Sequence, residues 1–386
     1  MIKEIERIRT NDKLNICIIG GGNIGTLLLG DLGKKDNVVI NLYTSNTIKW
    51  SKDIEVYDTS EKLKYTSHIN TISNDPNIVI READIIISTL PSQVFPKILK
   101  KISPYIKHNT WIGIMPGSGG VEFYCNELIN KGCILFGFQR VHGIARIKEY
   151  GKSVYDLGKK DMLYIATIPK DKNIEVCKKI EELLDIKCIE LPNYLSVTIT
   201  PSNPILHTTR LYSLFKNYKE GMYWENVIEF YSEWDNDSSD ILIKCDEELQ
   251  FICESLDGLD LKRVKSLKEY YESNTVDEMT EKIKSIKAFK GIEAPMVKTK
   301  YGYIPDFKSR YFLEDFAYGL CIIKGFADVL NINTPNIDKV INWYERISEV
   351  EYFKESEFLG SNLKGLPIPK NYGLKDKEDI IKYYNR

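Results

Sequence analysis

Residues 14–25 read LNICIIGGGNIG. Leu14, Ile16, Cys17, Ile18 and Ile19 make an apolar run with the length and β-branching of a buried parallel strand. Gly20, Gly22 and Gly25 follow at G-x-G-x-x-G spacing, and an apolar helical run extends from Ile24 to Leu32. Strand, glycine turn and helix start therefore coincide, a context that points to a dinucleotide-binding turn rather than to a glycine-rich loop without a ligand. Gly20 permits the tight turn, Gly22 admits a pyrophosphate close to the backbone, and Gly25 lets helix pack on strand. The first helical residues, Asn23 and Ile24, present unpaired N–H groups and the positive end of the helix dipole to the phosphates.

Outward from this turn the same texture continues. Val38 to Tyr43 (VVINLY) reads as a second strand. In a nicotinamide-binding sheet its end commonly carries a carboxylate for the adenosine ribose. Here the chain has Thr44, Ser45, Asn46 and Thr47, with Lys49 behind. Without the carboxylate a 2′-phosphate is not repelled, and the hydroxyls and the lysine can accept it. This favours NADP over NAD, although a polar loop with no say in the matter is an equally simple reading. Residues 52–82 are polar and irregular, with room for short strands. Ala83 to Ser88 is a strand running into Thr89, Leu90 and Pro91, and Thr110 to Met115 is another, ending in Pro116, Gly117 and Ser118. Ligands in such sheets lie beyond the carboxyl ends of the strands, so Thr89, Leu90, Pro91 and Pro116 are expected to border the cofactor. A helix over 121–130, strands over 133–138 and 162–168 and a helix over 174–184 complete a doubly wound parallel α/β sheet of the Rossmann type.

After Pro192 strand-like runs give way to helical periodicity at 203–216, 224–256, 259–273, 276–287, 310–330 and 336–350. Two domains are expected: a dinucleotide-binding domain over 1–191 and a second, all-α domain over 192–386. The length of 386 residues supports two cores rather than one. A net charge of -2 gives no electrostatic footprint for nucleic acid or an anionic membrane. The N-terminus, MIKEIERIRTNDK, lacks the apolar core of a secretory signal. No apolar run approaches a membrane span. Eight cysteines are scattered singly, as suits reduced thiols and a cytoplasmic setting, and Cys17, Cys125 and Cys321 fall in core-type positions. Four histidines without metal-ligand spacing argue against a metal site. His68 and His108 read as surface residues, and the case for a functional His142 is slight.

The residues of the helical half decide among enzyme families. Pro305-Asp306-Phe307-Lys308-Ser309-Arg310-Tyr311-Phe312-Leu313-Glu314-Asp315, followed by Gly319-Leu320, closely resembles the P-D-F-x-x-R-Y-x-x-E-D segment of the octopine/nopaline dehydrogenase family. Gly20-Gly21-Gly22-Asn23 matches that family's opening, and Glu122-Phe123 with Cys125, Arg146 to Gly151 (RIKEYG) and Asn203 to His207 (NPILH) resemble further segments. Similarity spans residues 14 to about 373. The resemblance implies an enzyme that condenses the amine of an amino acid with a 2-oxo acid, such as pyruvate, and reduces the imine with NAD(P)H to an N-(1-carboxyalkyl) amino acid, an opine. It further implies that His207 is the acid–base group, Asp315 its partner, and Arg310 the grip on the oxo-acid carboxylate. The chain departs from the family in three places. Thr208 follows the histidine where proline is usual, Ser118 stands where one member has a glutamine near the oxo acid, and a cysteine used there falls near Ala145.

The chemistry asks for these residue types. Imine formation needs an amine deprotonated before attack and a hydroxyl protonated as it leaves, and a group titrating near neutrality serves both. A neighbouring carboxylate fixes the imidazole tautomer and stabilises the imidazolium. Arg310 offers a planar fork for a carboxylate, although it can also simply pair with Asp306 or Glu314. Ser118, His207, Arg310 and Trp224 are the expected substrate contacts. The stretch 218–240 is rich in aromatic and acidic residues, among them Tyr223, Trp224, Tyr231, Trp234, Asp235, Asp237 and Asp240. It reads first as core aromatics with a solvated acidic face. A carboxylate from it pointing into the cleft would favour a basic amino acid. The expected partners are therefore small molecules, with no nucleic acid or membrane; a homodimer is compatible with the sequence, which does not decide the oligomeric state. Two other functions fit part of the pattern: a ketopantoate-reductase-like NADP-dependent reductase of 2-oxo acids, which needs no histidine–aspartate pair, and a nucleotide-sensing protein without turnover.

Overall fold

The computed structural model describes residues 13–386, so most of the charged N-terminal stretch lies outside it. The chain divides into two compact units. The first comprises residues up to Leu90, Val94–Gly117 and Cys125–Glu190, and the second Pro91–Gln93, Ser118–Tyr124 and Leu191–Arg386.

The first unit contains strands β1 (Leu14–Ile19), β2 (Val38–Tyr43), β3 (Asp53–Tyr57), β4 (Leu63–His68), β5 (Thr71–Ser73), β6 (Ile85–Ser88), β7 (Trp111–Ile114), β8 (Ile134–Phe138), β9 (Gly143–Glu149), β10 (Ser153–Lys159), β11 (Met162–Ile168) and β12 (Lys187–Glu190). Eight of them form one sheet in the order β12-β11-β8-β7-β6-β1-β2-β5. Every pairing in it is parallel except β8 with β11. The order reverses direction at β1, which lies between β2 and β6, and that reversal is where such sheets open a ligand crevice. Fully buried Ile16, Ile18, Ile85 and Ile87 carry the core there.

Four further strands form a second sheet, in the order β4-β3-β10-β9. Its strands are half-exposed and interrupted by register shifts, so their alternation is weak in the sequence. The helix Asn23–Gly33 packs against both sheets, with Leu28, Leu29 and Leu32 towards the first and Leu27 towards Val56, Ala145 and Val154 of the second. This explains why its apolar residues run all round it instead of along one stripe. Asp31 of the same helix is buried, with Lys159 Nζ and Tyr65 Oη each at 2.6 Å and His142 Nε2 at 3.3 Å. Burial opposes the charge, but His142, Lys159 and Tyr65 together hold the carboxyl well below the ordinary range. His142 is thus a structural partner of Asp31, while His68 and His108 are exposed, as expected.

The second unit is helical, built on Asn203–Phe215, Asn236–Ser255, Val276–Ser285, Cys321–Val329, Pro335–Ser348 and Lys377–Tyr384. It adds a two-stranded antiparallel ribbon, β13 (Met296–Lys298) with β14 (Tyr303–Pro305). The helix expected over 224–256 begins only at Asn236, because the Asp235 side chain accepts from Ser238 N and caps it there. Residues 224–235 are irregular. Cys17, Cys125 and Cys321 are buried and all eight cysteines are free thiols. No described helix is long and apolar enough to cross a membrane.

Glu122, in the short helix Val121–Tyr124, is fully buried in the second unit. Its Oε1 accepts from Thr198 Oγ1 and Tyr384 Oη, each at 2.6 Å, while Oε2 has no hydrogen-bond partner among the described residues. Burial pushes its carboxyl up to about 7. A carboxyl raised on folding contributes stability that is present below its unfolded value and is lost as pH rises through 7. Glu122→Gln should therefore flatten the fall in thermal stability between pH 5 and pH 8, a difference of about 3 kcal/mol at the upper end. Parallel melting curves for the two proteins across this range would contradict the assignment.

Candidate active site

The glycine turn has the shape a dinucleotide needs. Gly20 has φ +105°, a conformation that favours glycine, and a Cβ on Gly25 would lie 2.0 Å from Gly20 O. Position 22 is different, since a Cβ there would meet nothing within 4 Å. Gly22 also caps the helix Asn23–Gly33 without any side-chain hydrogen bond, leaving its first N–H groups for an anion. Across the reversal, Thr89 N donates to Ile19 O at 2.9 Å, so Thr89 and Leu90 lie directly beside Gly20. Asn23 accepts from Ile147 N at 2.9 Å, which ties the glycine turn to the Arg146–Gly151 segment. Thr44 is buried at the end of β2, and Ser45 and Lys49 are exposed just beyond it. Pro116 follows β7 and is exposed. Pro91 and Ser118 belong to the second unit. Within the first unit, the glycine turn and the end of β2 fit a nicotinamide dinucleotide: open space at Gly22, free helix N–H groups, and no carboxylate among residues 44–49.

In the second unit, the helix Asn203–Phe215 carries Pro204 in its first turn, where a missing N–H costs nothing, and His207 one turn further on. Thr208, the residue in place of the usual proline, sends its hydroxyl back to Pro204 O at 2.5 Å, so the helix continues undisturbed. Asp315 directly precedes a π-type turn, Phe316–Leu320. Such turns displace the chain sideways and are frequent at functional sites. Gly319 in this turn packs on Pro204, where a Cβ would approach the proline ring to 2.9 Å, and that close approach sets Asp315 against the start of the His207 helix. His207 Nδ1 and Asp315 Oδ2 are 2.8 Å apart, although the two residues are 108 positions apart in the chain. His207 Nε2 lies 2.8 Å from Tyr231 Oη. The Tyr311 ring leans over the imidazole at a centroid distance of 4.4 Å, with Phe230 edge-on at 5.7 Å.

Arg310 is five residues before Asp315 with its side chain 63% exposed, and its Nε pairs with Glu314 Oε2. Glu314 is fixed in turn, since its other oxygen accepts from Ser92 N at 2.9 Å. Gly119, next to Ser118, packs against Ser92 and Tyr318 O, so Ser118 sits near the same π-type turn. Trp224 is half-buried, bridged to Tyr303 and stacked with Tyr218. The acidic group is otherwise employed. Asp235 caps a helix, Asp237 pairs with Lys216 at 2.6 Å and Asp240 with Lys244 at 2.7 Å. The solvated acidic face is therefore the reading the geometry supports, and these carboxylates give no ground for preferring a basic substrate.

Arg210 escaped the sequence reading. It lies one turn after His207 and is fully buried, donating to Phe230 O at 2.8 Å, Glu233 O at 2.6 Å and Ser238 Oγ at 2.9 Å. Burial lowers its pKa to about 10, so it stays charged at neutral pH. It pins the irregular 230–234 loop to the histidine helix and so delivers Tyr231 to His207. A buried arginine on an apolar helix face is the only sequence signal for it.

A dinucleotide-binding sheet followed by a helical unit with a hydrogen-bonded histidine–aspartate pair defines an NAD(P)-dependent oxidoreductase. Residues 190–348 match the family described as NAD/NADP octopine/nopaline dehydrogenase, alpha-helical domain. Residues 16–162 match the ketopantoate reductase family PanE/ApbA. The tauropine dehydrogenase of Arabella iricolor is 29% identical, covering 95% of this chain and 99% of that protein. The octopine dehydrogenase of Mizuhopecten yessoensis is 26% identical, covering 95% and 98%. Among solved structures, octopine dehydrogenase in complex with NADH and agmatine superimposes with a TM-score of 0.85 at 23% identity, over 97% of this chain and 99% of that one.

Proposed function

We propose that the chain catalyses the NAD(P)H-dependent reductive condensation of an amine-bearing acid with a 2-oxo acid of pyruvate type, giving an N-(1-carboxyalkyl) product. The observation that carries this reading is the His207–Asp315 pair at 2.8 Å. A simple oxo-acid reduction needs one proton delivered to an alkoxide. Condensation needs a proton removed from the amine and another returned to a departing hydroxyl, and an imidazole backed by a carboxylate performs both in turn. Asp315 holds the imidazole in the tautomer with Nδ1–H and stabilises it when protonated. Bound at Gly20–Gly25, the dinucleotide supplies the hydride that reduces the imine. Its finer identity is supported by the missing carboxylate at residues 44–49, which favours NADPH, and a higher kcat/KM with NADH than with NADPH would overturn that preference. Thr44, Ser45 and Lys49 would then meet the 2′-phosphate.

Arg310 is the group proposed for the oxo-acid carboxylate, beside Ser118. Its side chain meets Glu314 through Nε and, among the described residues, makes no other hydrogen bond, so its terminal nitrogens remain for a bidentate contact. Arg310→Lys keeps the charge and loses the fork. The KM for the oxo acid should rise roughly tenfold, with cofactor binding unchanged. An unaltered KM would remove Arg310 from the oxo-acid site.

The match of residues 16–162 to the ketopantoate reductase family keeps a second reading in view, that of a plain reductase. One assay separates the two: NAD(P)H oxidation by pyruvate, with and without each of a panel of amino acids and taurine. The proposed function requires the amine. Oxidation by the oxo acid alone at the same rate favours the reductase, and cofactor binding with no oxidation in any mixture favours a sensor.

A further inference from the structure

The proposed acid–base group has no free nitrogen. His207 Nδ1 is held by Asp315 and Nε2 by Tyr231, each at 2.8 Å. One face of the imidazole lies under Tyr311, and Phe230 stands edge-on to it. A substrate can reach a ring nitrogen only by displacing one of the two partners. Displacing Asp315 would remove the charge that supports the imidazolium. Displacing Tyr231 would uproot a ring that is 4% exposed, stacked on Phe289 at 4.1 Å, parallel to Trp234 at 6.2 Å and edge-on to Phe230 at 4.9 Å. The loop behind it is pinned by the buried Arg210 through Phe230 O and Glu233 O.

We infer that Tyr231 is a catalytic residue of this reaction, its hydroxyl relaying the proton between His207 Nε2 and the reacting substrate. The inference rests on the condensation proposed above. With neutral His207, Nδ1–H donates to Asp315 and Nε2 accepts from the Tyr231 hydroxyl. The substrate ammonium gives one proton to Tyr231 Oη while the phenol's own proton moves to Nε2. The freed amine then attacks the oxo-acid carbonyl carbon, the C=O π pair moves to oxygen, and a second nitrogen proton passes to that oxygen, leaving a neutral carbinolamine. In the dehydration step the direction reverses. The Nε2–H bond breaks and its proton goes to Oη, the phenol proton passes to the carbinolamine hydroxyl, the C–O bond breaks, water departs and the nitrogen lone pair closes the C=N bond. No electrons are gained or lost in either step. Burial, with Tyr311, Tyr271 and Asp315 nearby, raises the phenol well above its ordinary pKa, so it stays a neutral donor throughout.

The test is Tyr231→Phe in the full chain, which keeps the stacked ring and removes only the hydroxyl. Single-turnover NAD(P)H oxidation at saturating amine and oxo acid should fall about 100-fold, with cofactor affinity and melting temperature nearly unchanged. In mixtures of light and heavy water the wild-type rate should follow a bowed proton inventory, because two protons move together, and the variant's residual rate a linear one. A variant within threefold of wild type overturns the relay, as does a linear inventory in the wild type, which decides the matter even if the variant does not fold. An amine-dependent wild type beside an unimpaired variant overturns the relay alone. Oxidation without any amine removes the carbinolamine, and with it both the relay and the reaction on which it rests.

Discussion

His207→Ala is expected to lower turnover by about two orders of magnitude or more, and Asp315→Asn by a comparable factor. The two should not add. With Asp315 replaced by an amide, the imidazole loses the partner that selects the Nδ1–H tautomer and supports its charge. With the imidazole gone, the carboxylate has nothing to orient. The double variant should therefore fall little below the worse single one. Cofactor affinity should survive in all three, since the glycine turn belongs to the other unit. Fully additive losses, measured as kcat at saturating substrates, would show that the pair does not act together, in spite of the 2.8 Å contact.

Gly22→Asp is the second large effect, and it isolates cofactor binding from folding. A Cβ at this position meets nothing within 4 Å, and the backbone, at φ -79°, is open to any residue. Aspartate is moreover a good cap for a helix whose first turn has no side-chain cap now. The folded protein should accept the substitution and gain up to about 1 kcal/mol of stability. The carboxylate would nevertheless fill the space reserved for the pyrophosphate and place a like charge against it, so dinucleotide binding should be abolished. Gly25→Ala would not serve as this test, because its Cβ would collide with Gly20 O in the apoprotein. A well-folded Gly22→Asp variant that retains cofactor affinity, measured by titration calorimetry, would show that the dinucleotide binds elsewhere.

Much of the first unit is legible in the chain because its determinants are local. The run of Ile16 to Ile19, the three glycines and the following leucines each carry their meaning within a few residues. The helix Asn23–Gly33 shows where this stops. Its all-round apolar character signals two packing partners, but the second partner is assembled from β3, β4, β9 and β10, whose alternation is broken by register shifts. In the helical unit the R-Y-x-x-E-D segment marks Arg310 and Asp315. What brings Asp315 to His207 is a π-type turn and the contact of Gly319 with Pro204, neither of which has a periodic signature. Tyr231 was hidden for a different reason. Its stretch is aromatic enough to read as core, and it is core: Phe230, Tyr231 and Trp234 are all buried. Only the hydroxyl at the end of one ring does chemistry, and a hydroxyl's partner is a tertiary fact. The helix stop that frees this stretch depends on Asp235, which the sequence presented as one of three surface acids and the fold uses as a cap.

The central claim is tested most directly by the product. NAD(P)H, pyruvate and an amino acid or taurine are incubated with the enzyme, and the mixture is resolved by mass spectrometry. The account predicts one dinucleotide oxidised per product formed, with a product mass equal to amine plus oxo acid less one oxygen. Lactate as the sole reduced product, at a rate indifferent to the amine, would contradict it.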